Sequence, residues 1–328
     1  MSKKKIFITG GAGYVGSKLV PKLLDLGYEI TVLDLMIYGE NTLKNHNKLN
    51  KIKGDIRNND LLEKVIPGHD ALIHLACISN DPSFELNPSL GKSINYDAFE
   101  PLVKISVKSK INRFIYASSS SVYGIKKEKN VTEDMKLEPL TDYSKFKAEC
   151  EKILNSYKSK DFITTTIRPS TVCGYAKRQR LDLVVNILTN HAFHNREIKV
   201  FGGNQLRPNI HINDMVESYL TVLNADSEKI NGQIFNVGFK NQSVNELAND
   251  VKEVIGKDIK IINTKSDDNR SYHVSSEKIK KILGFEPKYT VKDAVSDLKD
   301  AFEKKILTNT FNDEFFFNIK RMNNLNLK

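Results

Sequence analysis

Tyr143 and Lys147 stand four residues apart in Tyr143-Ser144-Lys145-Phe146-Lys147, so on a helix their side chains share one face. That pairing suits proton exchange with an alcohol or ketone. A lone tyrosine titrates near 10, too high for a base. A neighbouring ammonium stabilises the phenolate and lowers that value. Upstream, Tyr116-Ala117-Ser118-Ser119-Ser120-Ser121-Val122-Tyr123-Gly124 carries four consecutive serines. A strand that ends in them puts hydroxyls at one sheet edge, where they can hydrogen-bond a sugar alcohol or ketone.

Hydride transfer needs a carrier, and the N-terminus offers its cradle in Ile6-Phe7-Ile8-Thr9-Gly10-Gly11-Ala12-Gly13-Tyr14-Val15-Gly16. The apolar run Ile6–Ile8 reads as a buried parallel strand. Gly10 permits the tight turn, Gly13 the approach of a pyrophosphate and Gly16 close helix–sheet packing, with Tyr14 and Val15 in the same turn. Val15, Leu19, Val20, Leu23 and Leu24 recur at helical spacing, which aims a helix N-terminus at the phosphates. Pro21 is expected in the first turns of that helix, where proline costs least.

A second strand ends at Asp34, 18 residues past Gly16, the spacing at which an acid grips the adenosine ribose. Leu35 to Tyr38 contain no cation to meet a 2′-phosphate, which favours NAD over NADP. Asp55, in Gly54-Asp55-Ile56-Arg57, can bond the adenine amino group or cap a helix. Leu75 and Ala76 follow the fourth strand, where backbone would line the pyrophosphate and nicotinamide ribose. His74 reads as structural rather than as a base.

These residues need a scaffold, and the pattern of strands and helices supplies one. Strands are expected at Lys5–Thr9, Glu29–Leu33, Ile52–Gly54, Ala71–Leu75, Phe114–Ser118, Thr164–Arg168 and Gln233–Asn236. Helices are expected at Gly13–Leu26, Asn59–Val65, Asn95–Ser109, Tyr143–Tyr157, Leu181–Asn195, Ile212–Leu223, Val244–Gly256, Ser275–Leu283 and Val291–Phe302. This is an α/β chain with a doubly wound parallel sheet. Asn323 to Lys328 are expected to fray.

Composition narrows the class. The 328 residues are 40% hydrophobic and 27% charged, ordinary for a globular protein. No apolar run of about 18 residues exists to span a membrane. Met1–Lys5 leads straight into the first strand, leaving no room for a signal peptide. Cys77, Cys150 and Cys173 lack metal-ligand spacing and read as reduced cytosolic thiols, small buried fillers. A cytoplasmic enzyme without a metal is the expectation. The net charge of +10 comes from lysines spread along the chain, with small clusters at Lys3–Lys5 and Lys126–Lys129. Without a basic stripe and interleaved aromatics it does not indicate nucleic acid. A mild positive field would help draw in a diphosphate substrate.

Taken in order, the motifs resemble the extended short-chain dehydrogenase/reductases, in their NAD-dependent epimerase/dehydratase branch. The resemblance covers residues 5 to about 305. It rests on Thr9-Gly10-x-x-Gly13-x-x-Gly16, Asp34, Asp55-Ile56, the serine run to Gly124, Tyr143-x-x-x-Lys147, Arg168-Pro169, Arg207 to Asp214 and Asn236-Val237-Gly238. It implies a Rossmann-type domain of about 1–170 plus 207–242, and a smaller, interleaved C-terminal α/β cap of about 171–206 plus 243–328 that binds a nucleotide-diphosphate sugar. It implies catalysis by Ser119, Tyr143 and Lys147. Cofactor contacts would include Arg168 as well as the glycine turn, Asp34, Asp55, Ile56, Leu75 and Ala76. Substrate contacts are expected from Asn95, Ser120, Ser121, Thr171, Arg178, Arg180, Arg207 and Arg270, the arginines as guanidinium forks for a diphosphate.

Two departures from the branch matter. Dehydratases place Asp-Glu after the catalytic hydroxyl; here those positions are Ser120 and Ser121, so water elimination lacks its acid and base. Galactose-type 4-epimerases carry an asparagine three residues after the arginine of the sixth strand; here it is Thr171. The expected activity is therefore oxidation at C4 of a nucleotide sugar, as a 4-epimerase or as a sugar or heptose 4-dehydrogenase or reductase that releases a keto sugar. A protein that senses NAD without chemistry would not need Tyr143 and Lys147. The resemblance also implies a homodimer through the helices near 95–109 and 143–157, using the apolar stripes Phe99, Leu102, Val103, Ile105 and Phe146, Cys150, Ile153, Leu154, Tyr157.

Overall fold

In a computed structural model, residues 4–128, 130–265, 271, 273–325 and 327 are described. Twelve strands occur among them: β1 Lys5–Thr9, β2 Glu29–Asp34, β3 Leu49–Lys53, β4 Ala71–His74, β5 Arg113–Ala117, β6 Ile163–Pro169, β7 Thr171–Cys173, β8 Glu197–Phe201, β9 Leu206–His211, β10 Gln233–Val237, β11 Lys240–Ser243 and β12 Lys260–Thr264. Seven form one sheet in the order β3-β2-β1-β4-β5-β6-β10, parallel throughout. The order reverses between β1 and β4, so a crevice opens there beyond the carboxyl ends of the strands.

Alternation along β1 feeds two cores. Ile6 and Ile8 face the layer that holds Leu19 and Leu23 of helix Gly16–Asp25 and Met215 of helix Ile212–Asn224. Phe7 faces the opposite layer with Leu102 and Leu154. All three β1 residues are fully buried, which explains their unbroken apolar run. A third core packs helices Val184–Asn195, Val244–Ile255 and Val291–Glu303 around β8. Beside it lie two small sheets, β11-β9-β7 and β12-β8.

The seven central strands match the expected ones within a few residues. β7, β8, β9, β11 and β12 had no expected counterpart. β7 has three residues, β9 and β11 are largely polar in sequence and β12 is mostly exposed, so these carry little apolar signal, while β8 alternates buried and more exposed residues. Three helical expectations need correcting. Pro21 lies past the first turn of helix Gly16–Asp25, as its sixth residue. Residues 95–109 do not form one helix: a π-helical turn, Ser93–Asp97, precedes the α-helix Phe99–Lys108. Asn323 to Leu325 do not fray but end a helix that starts at Asn318.

The apolar stripes on helices Phe99–Lys108 and Asp142–Ser156 are largely spent within the chain. Phe99, Leu102, Val103, Ile105, Cys150 and Leu154 are buried in its own core. Phe146, Ile153 and Tyr157 are half-buried.

Candidate active site

Each motif reaches the crevice through a short turn. At Gly10 the backbone has a φ of +72°, and an added Cβ would lie 2.5 Å from the Ala76 amide nitrogen, so only glycine fits. Gly16 is closed to a side chain by the Cα of Gly11, which would lie 2.6 Å away. Gly13 is less crowded, with the Gly10 carbonyl as its nearest neighbour at 3.2 Å. Its lack of a side chain leaves space on the crevice side rather than relieving a clash. Gly11, passed over in the sequence, is also crowded, though by a side chain: a Cβ would lie 2.8 Å from the Val32 methyls.

Asp34 ends β2. Its Oδ2 accepts from the Ala12 amide at 2.9 Å and its Oδ1 from the Met36 amide at 2.8 Å. Each oxygen keeps a lone pair for a ribose hydroxyl. Burial raises the Asp34 carboxyl, while those amides and the charge of Arg178 pull it down. A cation therefore does reach Asp34, from far along the chain, although none occurs in Leu35–Tyr38. Asp55 also lines the crevice and is forked by Arg57 at 2.6 Å, while Asn58 caps the next helix. Tyr14, Val15, Ile56, Leu75 and Ala76 complete this side. The Tyr14 hydroxyl is turned to the Gly174 carbonyl, 2.5 Å away, which leaves its backbone for the crevice.

The catalytic candidates meet at the other end. Thr141 and Ser144 form a capping box that starts helix Asp142–Ser156 and sets Tyr143 in its first turn. The Lys147 ammonium donates to the Ala117 carbonyl at 2.7 Å and stands 5.9 Å from the Tyr143 ring centroid. Ser119 lies close enough to the Tyr143 phenol to act on it, and its Oγ lies 2.8 Å from Ser121 Oγ. Burial raises the phenol, as do Cys77 and Asp81, while Arg180 and Ser119 lower it. Arg180 is thus a second cation acting on Tyr143, and the i, i+4 spacing could not show it.

Thr171, Arg178, Arg180, Arg207, Ser120 and Ser121 also line the crevice, a cavity of about 530 Å³. Arg180 is forked onto Asp182 at 2.9 and 3.1 Å and donates to Ser79. Arg178 stands not with the catalytic groups but with Asp34 and Tyr38, its guanidinium 3.5 Å from the Tyr38 ring centroid. Burial pushes it down to about 10. Arg270 lies outside the described residues.

Two expected contacts are corrected. Asn95 is not a crevice residue. It is buried, and its amide clasps the Ile78 backbone at 2.8 and 2.9 Å, so it fixes the loop after β4. Arg168 does not line the crevice either. It is held by Glu151, with Nη2 2.6 Å from Oε2, and by the Tyr123 hydroxyl at 2.6 Å from Nη1. The same Glu151 accepts from Ser118, which withdraws that hydroxyl from the site. Of the cysteines, Cys150 and Cys173 are buried, but Cys77 is half-buried and lines the crevice. His74 is structural as expected: its Nδ1 lies 2.7 Å from Thr9 Oγ1, and burial drives it down to about 3, so it stays neutral. No cluster of metal-ligand residues occurs among the described residues. No helix among them is long and apolar enough to cross a membrane.

A Rossmann-type sheet, a glycine turn at its first strand, and a serine–tyrosine–lysine group at its switch point define a dinucleotide-dependent oxidoreductase. The sequence pattern of the NAD dependent epimerase/dehydratase family matches residues 6–238, and the chain belongs to that family. NAD is its cofactor, and the Gly10 and Gly13 turn with Asp34 fits a dinucleotide. A UDP-glucose 4-epimerase of Lactobacillus helveticus is 26% identical over 89% of this chain and 94% of its own. A dTDP-glucose 4,6-dehydratase of Streptomyces niveus is 24% identical over 89% of this chain and 90% of its own. The crystal structure of a Thermotoga maritima UDP-glucose 4-epimerase with UDP-glucose superposes with a TM-score of 0.84, at 24% identity, over 92% of this chain and 100% of that one.

Proposed function

We propose that this enzyme oxidises C4 of a nucleotide-diphosphate sugar and returns the hydride to the opposite face, a 4-epimerisation. Tyr143 takes the proton of the C4 hydroxyl, Ser119 holds that oxygen, and the charges of Lys147 and Arg180 favour the phenolate. NAD, when bound, accepts the hydride and gives it back. Arg207, Arg180 and Thr171 face the substrate.

The state of the crevice carboxylates carries the choice of outcome. Elimination of water needs a free acid and base near the sugar. The positions that follow Ser119 hold hydroxyls, which titrate far above neutrality. The carboxylates along the crevice are already engaged: Asp34 by amides, Asp55 by Arg57, Asp182 by Arg180 and Asp81 by Thr141. This favours epimerisation over 4,6-dehydration. The relatives named UDP-glucose 4-epimerase support a uridine diphosphate hexose as the first substrate to try.

The test is UDP-glucose turnover in deuterium oxide. Epimerisation keeps protium at C4 and leaves C5 undeuterated. Deuterium at C5 would mean elimination chemistry and would overturn the proposal. A cytoplasmic homodimer fits the same reading. The half-buried Phe146, Ile153 and Tyr157 would meet their copies across a two-fold axis, and sedimentation at micromolar concentration tests it.

A further inference from the structure

The chain after helix Val291–Glu303 has no part in the chemistry above, yet it reaches the cofactor crevice. A short turn, Glu314–Phe316, leads into helix Asn318–Leu325. The Phe316 carbonyl accepts from the Leu181 amide at 2.9 Å, and Arg321 Nε donates to the Ile37 carbonyl at 2.5 Å. Asn318 is the hub. Its amide N–H donates to Asp182 at 3.0 Å. Its Oδ1 accepts from the Tyr38 hydroxyl at 2.9 Å and from Arg178 Nη2 at 2.5 Å, and its Nδ2 donates to Ser79 Oγ at 3.0 Å. One side chain therefore ties the loops after β2, β4 and β7 together around the crevice.

Arg178 is what this hub positions. It is only 3% exposed, it lines the crevice, and Tyr38 and Asn318 fix its guanidinium. Its buried Nε has no hydrogen-bond partner. A buried guanidinium with an unused donor costs stability unless an oxygen meets it. On the Asp34 side of the crevice, a dinucleotide offers such oxygens on its ribose and pyrophosphate. The segment also lies beyond the family motifs.

We propose that Glu314–Leu325 is a strap that completes the NAD site, with Asn318 as the positioning residue that holds Arg178 against the adenosine half of the cofactor. The strap sets how long NAD stays bound, since the loops it ties must part before the cofactor leaves. This rests on NAD as the cofactor and not on the identity of the sugar.

The test compares wild type, Asn318→Ala and Asn318→Asp as full-length proteins. NADH release is followed by stopped-flow fluorescence, and binding of NAD and of nicotinamide mononucleotide by calorimetry or thermal shift. Asn318→Ala should release NADH at least tenfold faster and bind NAD correspondingly more weakly. Asn318→Asp keeps the acceptor for Tyr38 and Arg178 and should stay within threefold of wild type. Nicotinamide mononucleotide lacks the adenosine half and should bind all three proteins alike. NADH release from Asn318→Ala at the wild-type rate would overturn the proposal, as would equal weakening of NAD and the mononucleotide. Wild-type protein that binds no NAD would refute the cofactor assignment itself, a result distinct from either.

Discussion

Replacing Glu151 with glutamine should destabilise the protein severely while sparing its affinity for NAD. Glu151 and Arg168 are both 3% exposed at their side chains and lie 2.6 Å apart, with a second contact from Arg168 Nε at 3.0 Å. Glutamine keeps the shape and one acceptor but removes the charge, so a buried guanidinium is left uncompensated. Breaking such a pair from one side costs about 3–5 kcal/mol. For a chain of 328 residues that corresponds to a fall in melting temperature of about 4–7 °C. The double variant Glu151→Leu/Arg168→Met removes both charges and should recover most of the loss, since well-packed apolar replacements of buried pairs are often neutral. Differential scanning calorimetry gives the stabilities, and calorimetric titration of NAD at a temperature where each variant is folded gives the affinities. A glutamine variant with wild-type melting and lost NAD affinity would refute this reasoning. It would return Arg168 to the cofactor, where the family resemblance had put it.

Tyr143→Phe should lower turnover by about 10² to 10⁴, the usual worth of a general acid–base group, with NAD affinity nearly intact by titration; wild-type turnover would move the proton transfer elsewhere. NAD should bind at least tenfold tighter than NADP, about 1.4 kcal/mol, because a 2′-phosphate would meet the Asp34 carboxylate. Equal affinities in calorimetry would show instead that Arg178 accepts the phosphate. His74 is held near 3 against its ordinary 6.5, so below pH 6.5 the unfolded chain takes up a proton that the folded chain refuses. Its contribution to stability is present above pH 6.5 and shrinks as the pH falls, by about 1.4 kcal/mol between pH 7.5 and 5.5. Denaturant titrations of wild type and His74→Gln should therefore converge toward acid pH by that amount; parallel curves would contradict it.

The parts of the site legible in the sequence are those whose geometry is local. The glycine turn, Asp34 and the Tyr143–Lys147 pair each lie within one strand–turn–helix or one helical turn, so residue spacing alone places them. Strands such as β1 and β4 were legible because burial on both faces makes them continuous apolar runs. What the sequence hid depends on distant partners. Arg178 meets Asn318 across 140 residues, and Tyr38 meets it across 280. The family resemblance, which put Arg178 in the cap, therefore pointed it to a substrate diphosphate rather than to Asp34. Arg168 was misplaced because its partner, Glu151, lies on another element and carries no motif. Asn95 opens no helix, since its amide is spent on Ile78. β12 was missed because it is mostly exposed, whereas β8, with Ile198 and Val200 buried between more exposed neighbours, does carry the period of a strand.

The central claim is that the crevice moves a hydride at C4 without expelling water. It is tested most directly by incubating the enzyme and NAD with a panel of nucleotide-diphosphate hexoses and following the products by NMR. A 4-epimer, with no net NADH and no loss of the C6 hydroxyl, is the predicted result. A 4-keto sugar with stoichiometric NADH would contradict the return of the hydride, and a 4-keto-6-deoxy sugar would contradict the reading of Ser120 and Ser121 and of the engaged carboxylates around them.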